Sequence, residues 1–95
     1  MKIYSVVIVG CGYICISHVE DIYWRENIKV VGAVDVDLER AKQFAARYNI
    51  PSYGTDYKPY LEREDVDIVI IGTYTDTHLP IMKDCVEHGK HVLCE

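Results

Sequence analysis

Positive charge is scarce in this chain. Ten Lys and Arg stand against fifteen Asp and Glu over 95 residues, a formal net charge of −5. A nucleic-acid backbone or an anionic membrane surface calls for clustered positive charge, so neither is an expected partner. Long apolar runs are missing too, and none approaches the ~20 residues of a membrane span. There are no low-complexity tracts, no internal repeats and no linker-like stretch. Core-forming side chains are not lacking: 49% of residues are hydrophobic and 26% charged, which argues against disorder. The length suits one domain, since domains centre on roughly 100–150 residues.

Signals for export and for a disulfide framework are equally thin. Ile8-Val9-Gly10-Cys11 resembles a bacterial lipoprotein cleavage box behind Met1 and Lys2. Its apolar stretch, Val6 to Val9, is too short for a signal-peptide core and suits a buried strand better. The four cysteines are Cys11, Cys15, Cys85 and Cys94. The rest of the chain can build its own core, so reduced thiols in a cytoplasmic protein are expected rather than bridges. Cys11, Cys15 and His18 can be drawn as metal ligands, but no second Cys/His pair follows at a zinc-like spacing. Buried thiols and no metal are expected.

What the sequence does have is a periodicity that switches between strand and helix. Ile3 to Val9 is a β-branched run closed by Gly10, a strand buried on both faces. Residues 13–25 place Ile14, His18, Val19, Ile22 and Tyr23 on one helical face. Lys29 to Val34 is a second strand. Asp37 can cap a helix that buries Leu38, Ala41, Phe44, Ala45 and Tyr48. Residues 50–53 hold a short strand at most. Thr55 can cap a brief helix through Leu61, with Pro59 tolerated near its first turn. Asp67 to Ile71 is a strand. Residues 76–88 predict a helix buried along Leu79, Met82, Cys85 and Val86, stopped by Gly89. His91 to Cys94 is a final short strand.

Strict alternation with short connections predicts an α/β fold: a three-layer, doubly wound parallel sheet in strand order 3-2-1-4-5, with helices on both faces. Ligands in such sheets bind beyond the carboxyl ends of the strands where the order reverses, here between the first and fourth strands. The loops after Val9, Val34, Ile71 and Cys94 are therefore the ones to watch.

The first of them reads Gly10-Cys11-Gly12-Tyr13-Ile14-Cys15, or G-x-G-x-x-C against the dinucleotide pattern G-x-G-x-x-G/A. Gly10 permits the tight turn, and Gly12 removes a Cβ so that a pyrophosphate can approach the backbone. The helix that follows offers free N–H groups and a positive dipole end. Cys15 is small enough to stand where Gly or Ala is usual. Asp35 ends the second strand 23 residues after Gly12, close to the roughly 20 expected of a ribose-binding acid. Its carboxylate can accept from both adenosine ribose hydroxyls and repels a 2′-phosphate. Val36 follows where an Arg would suggest NADP, so NAD is expected, with NADP less favoured. A glycine turn without a ligand and a solvated loop acid are the plain competing readings.

The chain resembles the N-terminal domain of the glucose–fructose oxidoreductase / inositol dehydrogenase (Gfo/Idh/MocA) family over essentially all of its residues. Four segments carry the resemblance: Val7 to Gly12 with His18 behind it; Gly32 to Asp37 with Glu39-Arg40-Ala41; Asp67 to Thr73 with Asp76 and His78; and Gly89-Lys90-His91-Val92-Leu93-Cys94-Glu95. The last is the most specific, matching the start of the family's G-K-H-V-x-x-E-K-P signature.

The resemblance implies an NAD(P)-dependent oxidoreductase acting by hydride transfer on a sugar, polyol or related hydroxy compound. It assigns Gly10, Cys11, Gly12, Tyr13 and Ile14 to the pyrophosphate turn and Asp35 to the ribose. Thr73, Tyr74 and Glu95 fall beside the nicotinamide half, and His78 matches a histidine at the start of the fourth helix, where a cap or packing role competes. His18 reads as a packed helix histidine. Tyr74 stands where the family often has Pro. The family's signature lysine and its second domain, which supplies substrate pocket and oligomer contacts, lie beyond Glu95. Residues 1–95 are thus expected as one cofactor-binding domain without that partner domain, binding a dinucleotide and catalysing nothing. The sheet edge at His91 to Cys94 is expected to drive homodimerisation or other self-association. A non-enzymatic nucleotide-binding or sensor module, and an S-adenosylmethionine-binding sheet, are the alternatives; the latter does not account for residues 89–95.

Overall fold

A computed structural model describes residues 2–11, 20, 25–72 and 75–94. Its strands are β1 (Tyr4–Val9), β2 (Ile28–Val34), β3 (Tyr53–Gly54), β4 (Ile68–Ile71) and β5 (His91–Cys94). Its helices are α1 (Leu38–Arg47), α2 (Lys58–Leu61) and α3 (Thr75–Glu87). Of the helix expected over residues 13–25, with Ile14, His18, Val19, Ile22 and Tyr23 on one face, all but Glu20 and Arg25 lies outside the described residues. The strands form one sheet in the order β3-β2-β1-β4-β5, every neighbouring pair parallel. This is the doubly wound order that the alternation of strand and helix predicts.

Successive side chains of a strand point to opposite faces, and β1 feeds a different core on each. Val6 and Ile8 pack with Ala33, Ala41, Phe44, Ala45, Ile50 and Ile70 under α1. Val7 and Val9 pack with Val34, Tyr60, Leu61, Val69, Ile71, Ile81 and Cys85 under α2 and α3. A sheet buried on both sides explains the unbroken apolar runs.

The pairing of β1 with β2 is interrupted once. Val6 faces Val30, but Val7 faces Gly32, so Val31 is an extra residue in β2. The parity of β2 changes there: Ile28 and Val30 pack on the α1 side, as does Ala33, whereas Val31 and Val34 belong to the other core. The Cβ of an alanine at position 32 would meet Tyr60 Cε1 at 2.4 Å, so the Tyr60 ring requires glycine there.

Helix ends follow local chemistry. Asp37 caps α1, its Oδ1 accepting from the N–H of Glu39 (3.1 Å) and of Arg40 (3.3 Å). Asn49 stops α1 at φ +53°, with Ile50 N donating to Ala45 O at 2.8 Å. Gly89 stops α3 in the same way, at φ +71°, with Lys90 N donating to Cys85 O at 2.9 Å. Three sequence expectations need correction. Leu38 is exposed at the first turn of α1, leaving Ala41, Phe44 and Ala45 as the buried stripe. Val86 is exposed on α3; Cys85 is buried and Met82 partly buried as expected, and Ile81 joins them on the face that meets the core. Thr55 does not cap α2. Tyr57 is its N-cap without a side-chain bond, and Asp56 Oδ1 accepts from Lys58 N at 3.0 Å.

Candidate functional site

The carboxyl ends of β1, β2 and β4 converge where the strand order reverses. Gly10 N donates to Val34 O at 2.7 Å on one side, and Gly72 N donates to Val9 O at 2.8 Å on the other. The turn after β1 is thus pinned to both neighbouring strands. Gly10 takes φ +94°, a left-handed conformation that L side chains resist.

Cys11 follows, buried. Its N–H donates to Asp35 Oδ2 at 2.9 Å, and its Sγ lies 3.6 Å from Val34 O as a weak donor. Asp35 stands just past β2, its own N–H donating to Gly54 O at 3.1 Å. Its Oδ1 accepts from Asp37 N at 2.9 Å. The carboxylate is only 6% exposed, a burial that a charge tolerates when charge-assisted hydrogen bonds hold it. Arg40 Nη1 lies 3.9 Å from Asp35 Oδ2. Its side chain is more than half exposed, so this pair contributes little to stability.

The structure therefore brings together Gly10, Cys11 and Asp35, three of the expected site residues, through one direct bond between turn and acid. Gly12, Tyr13, Ile14, Thr73, Tyr74 and Glu95 lie outside the described residues, as does the side chain of His78, whose backbone is part of α3. Two of the roughly four acceptor positions of the Asp35 carboxylate are filled by backbone N–H groups. Among the described residues, no other hydrogen-bond donor meets it. A left-handed glycine turn beside such a carboxylate, at the strand ends, fits a ligand that carries vicinal hydroxyls next to an anionic group.

Arg40 is a neighbour of Asp35 that the motif does not announce. The sequence marks it only by its place behind the Asp37 cap and within the Glu39-Arg40-Ala41 stretch of the resemblance, with no role attached. Lys90, by contrast, stands in the most specific stretch of the chain and does structural work. Its Nζ donates to Arg63 O at 2.6 Å and to Val66 O at 2.8 Å. Cys85 is a packed thiol that burial pushes up to about 11. Among the described residues, no group of three or more His, Cys, Asp or Glu is placed to hold a metal ion. No helix among them is long and apolar enough to cross a membrane. An open cleft of about 430 Å³ lies at the α1–β3 corner, lined by residues such as Lys42, Asn49, Pro51 and Tyr53, and reaches neither Gly10 nor Asp35.

Comparison with known proteins follows the same line. The model of the oxidoreductase family GFO/IDH/MocA, with its NAD-binding Rossmann fold, matches residues 4–95. A trans-1,2-dihydrobenzene-1,2-diol dehydrogenase of Xenopus tropicalis is 34% identical over 67 residues, 70% of this chain and 20% of its own. A glycosyl hydrolase family 109 protein of Shewanella sp. (strain ANA-3) is 33% identical over an alignment covering 100% of this chain and 23% of its own. Among solved structures, an NAD-binding protein from Listeria innocua superposes with a TM-score of 0.86 at 35% identity, over 98% of this chain and 27% of that one. The chain spans about a quarter of the length of these relatives.

Proposed function

The chain belongs to the oxidoreductase family GFO/IDH/MocA, with its NAD-binding Rossmann fold, and from that premise we propose that it is the cofactor-holding part of a dehydrogenase acting on a sugar, polyol or related hydroxy compound. The observation that carries this reading is the bond from Cys11 N to Asp35 Oδ2. It fixes a glycine turn suited to a pyrophosphate at a set distance from an acid suited to a ribose. In this reading the loop from Gly10 through Ile14 holds the pyrophosphate and Asp35 the adenosine ribose. Thr73, Tyr74, His78 and Glu95 serve the nicotinamide half. When bound, the nicotinamide takes up or gives a hydride. NAD is favoured over NADP because the Asp35 carboxylate repels a 2′-phosphate and the neighbouring Val36, 90% exposed, offers it no cation. The names of the relatives, a diol dehydrogenase and a glycosyl hydrolase, support a hydroxylated substrate. By themselves the 95 residues bind the dinucleotide in the micromolar range or more weakly. They form no NADH in a substrate-dependent way, since enclosing a substrate and excluding water falls to other parts of a protein the length of the relatives.

Calorimetric titration tests the reading. Asp35→Asn should weaken NAD binding by about 1.5–3 kcal/mol, the worth of a hydrogen bond to a charged group. Equal NAD affinity in the two proteins would overturn the role of Asp35.

We also infer that two copies associate through β5, the last strand of the sheet order. His91 and Leu93 are exposed along it, and an uncovered edge offers unpaired N–H and C=O groups to a second strand.

A further inference from the structure

Among the described residues no hydrogen bond joins Ser52 or Tyr60 to Gly10, Cys11 or Asp35, yet both converge on the bulge in β2. Ser52 Oγ lies 2.8 Å from Val31 O and 2.9 Å from the Tyr60 hydroxyl. A serine hydroxyl has one proton. Val31 O can only accept, so that proton goes to Val31, and Tyr60 O–H donates to Ser52 in turn. The backbone of Ser52 takes part as well, its carbonyl accepting from Ala33 N at 3.1 Å. Ser52 thus grips β2 on both sides of Gly32. The Tyr60 ring covers Gly32 where no Cβ fits.

The bulge decides where Asp35 points. Beyond it, Ala33 packs on the α1 side and Val34 on the other. Alternation continues to Asp35, which stands on the α1 side with Cys11, a member of that core. Remove the extra residue and position 35 falls on the opposite face, since a one-residue slip turns every side chain over. Bulges commonly re-aim a side chain beside a binding site.

We propose that Ser52 and Tyr60 are positioning residues for the ribose-binding acid: by locking the Val31–Gly32 bulge they set the face and angle at which the Asp35 carboxylate meets a dinucleotide. The inference rests on the reading of Asp35 given above.

The test measures a ratio that loss of folded protein does not change. NAD and its analogue with a 2′-deoxyadenosine ribose are titrated into the wild-type chain and into Ser52→Ala, Ser52→Thr, Tyr60→Phe and Asp35→Asn. The wild type should prefer NAD by about tenfold, the worth of one charge-assisted hydrogen bond. In Ser52→Ala the preference should fall by roughly threefold or more as the carboxylate leaves its angle, and Ser52→Thr should restore it. Tyr60→Phe keeps the ring on Gly32 and loses only the hydroxyl; it should lower the preference in the same direction, and it decides the matter if Ser52→Ala does not fold. An unchanged preference in the folded Ser52 and Tyr60 variants, with Asp35→Asn still reducing it, overturns this inference alone. No preference in the wild type, or none lost in Asp35→Asn, overturns the role of Asp35 and this inference with it.

Discussion

The hydroxyl of Tyr57 donates to the carboxylate of Asp84, joining the N-cap of α2 to the second half of α3. Burial first, then the hydrogen bond and charge of Asp84, push Tyr57 from its ordinary 10.0 up to about 12. The folded protein therefore keeps this phenol protonated after the unfolded chain has lost the proton. Stability from the pair is fully present below about pH 10 and is lost as the pH climbs towards 12. Thermal melts across that window should show the wild type losing stability more steeply than Tyr57→Phe, which keeps the other titrating groups, Cys85 among them, and lacks only the phenol at position 57. Parallel curves would show that Tyr57 does not couple to folding.

Gly32→Ala should destabilise the protein by about 1–3 kcal/mol, the usual cost of overpacking a well-filled site. Its Cβ would lie 2.4 Å from a buried ring. Gly54→Ala is the control, with nothing within 4 Å of its new Cβ, and should stay within about 0.5 kcal/mol. Urea titration of both variants checks the contrast.

Lys90→Met removes an ammonium that bonds two carbonyls of the loop between α2 and β4. The expected loss is about 1.5–3 kcal/mol, since the donor is charged and both acceptors are left without it. Lys83→Met, at an exposed position of the neighbouring helix, should change stability by less than about 0.5 kcal/mol. Equal effects in the two variants would remove the structural role given to Lys90.

The β5 edge is best probed at Leu93, which is 46% exposed. Val92 is unsuitable because it packs against the core beneath α2 and α3. Light scattering should find the wild-type chain associated at high concentration and Leu93→Lys shifted towards monomer, as charge on an edge strand opposes pairing. A monomeric wild type ends the idea, and an association untouched by Leu93→Lys moves the interface elsewhere.

Much of this was readable in the sequence where one signal dominated. The runs ending at Val9, Val34 and Ile71 are too apolar and β-branched to be anything but buried strands, and the alternation with helices dictates the sheet order. Asp35 declares itself by its distance from the glycine turn. The same apolar uniformity hides the bulge. When every residue from Val30 to Val34 is apolar or glycine, hydrophobic pattern holds no trace of a change in parity. Leu38 and Val86 read as buried because helical spacing marks a broad apolar face, but not which residues at its margins and ends lie beyond the reach of the core. The partners of Lys90 and Tyr57 lie 24 to 27 residues away. Such pairings depend on where loops arrive, which local propensity does not encode.

The division of β1 between two cores carries a lesson for genetics. Val7 and Ile8 are adjacent in the chain and both essentially without solvent contact, yet the sheet stands between their neighbours. Truncations at the two positions should therefore add, unlike most pairs so close in sequence. Second-site suppressors should also respect the partition. Among the described residues, a hole left by Ile8→Ala is refilled from its own cluster, for example by enlarging Ala41 or Ala45. One left by Val7→Ala calls for changes in the other cluster, such as at Leu61, Ile81 or Cys85, and a suppressor that works by filling one hole should not rescue the other allele.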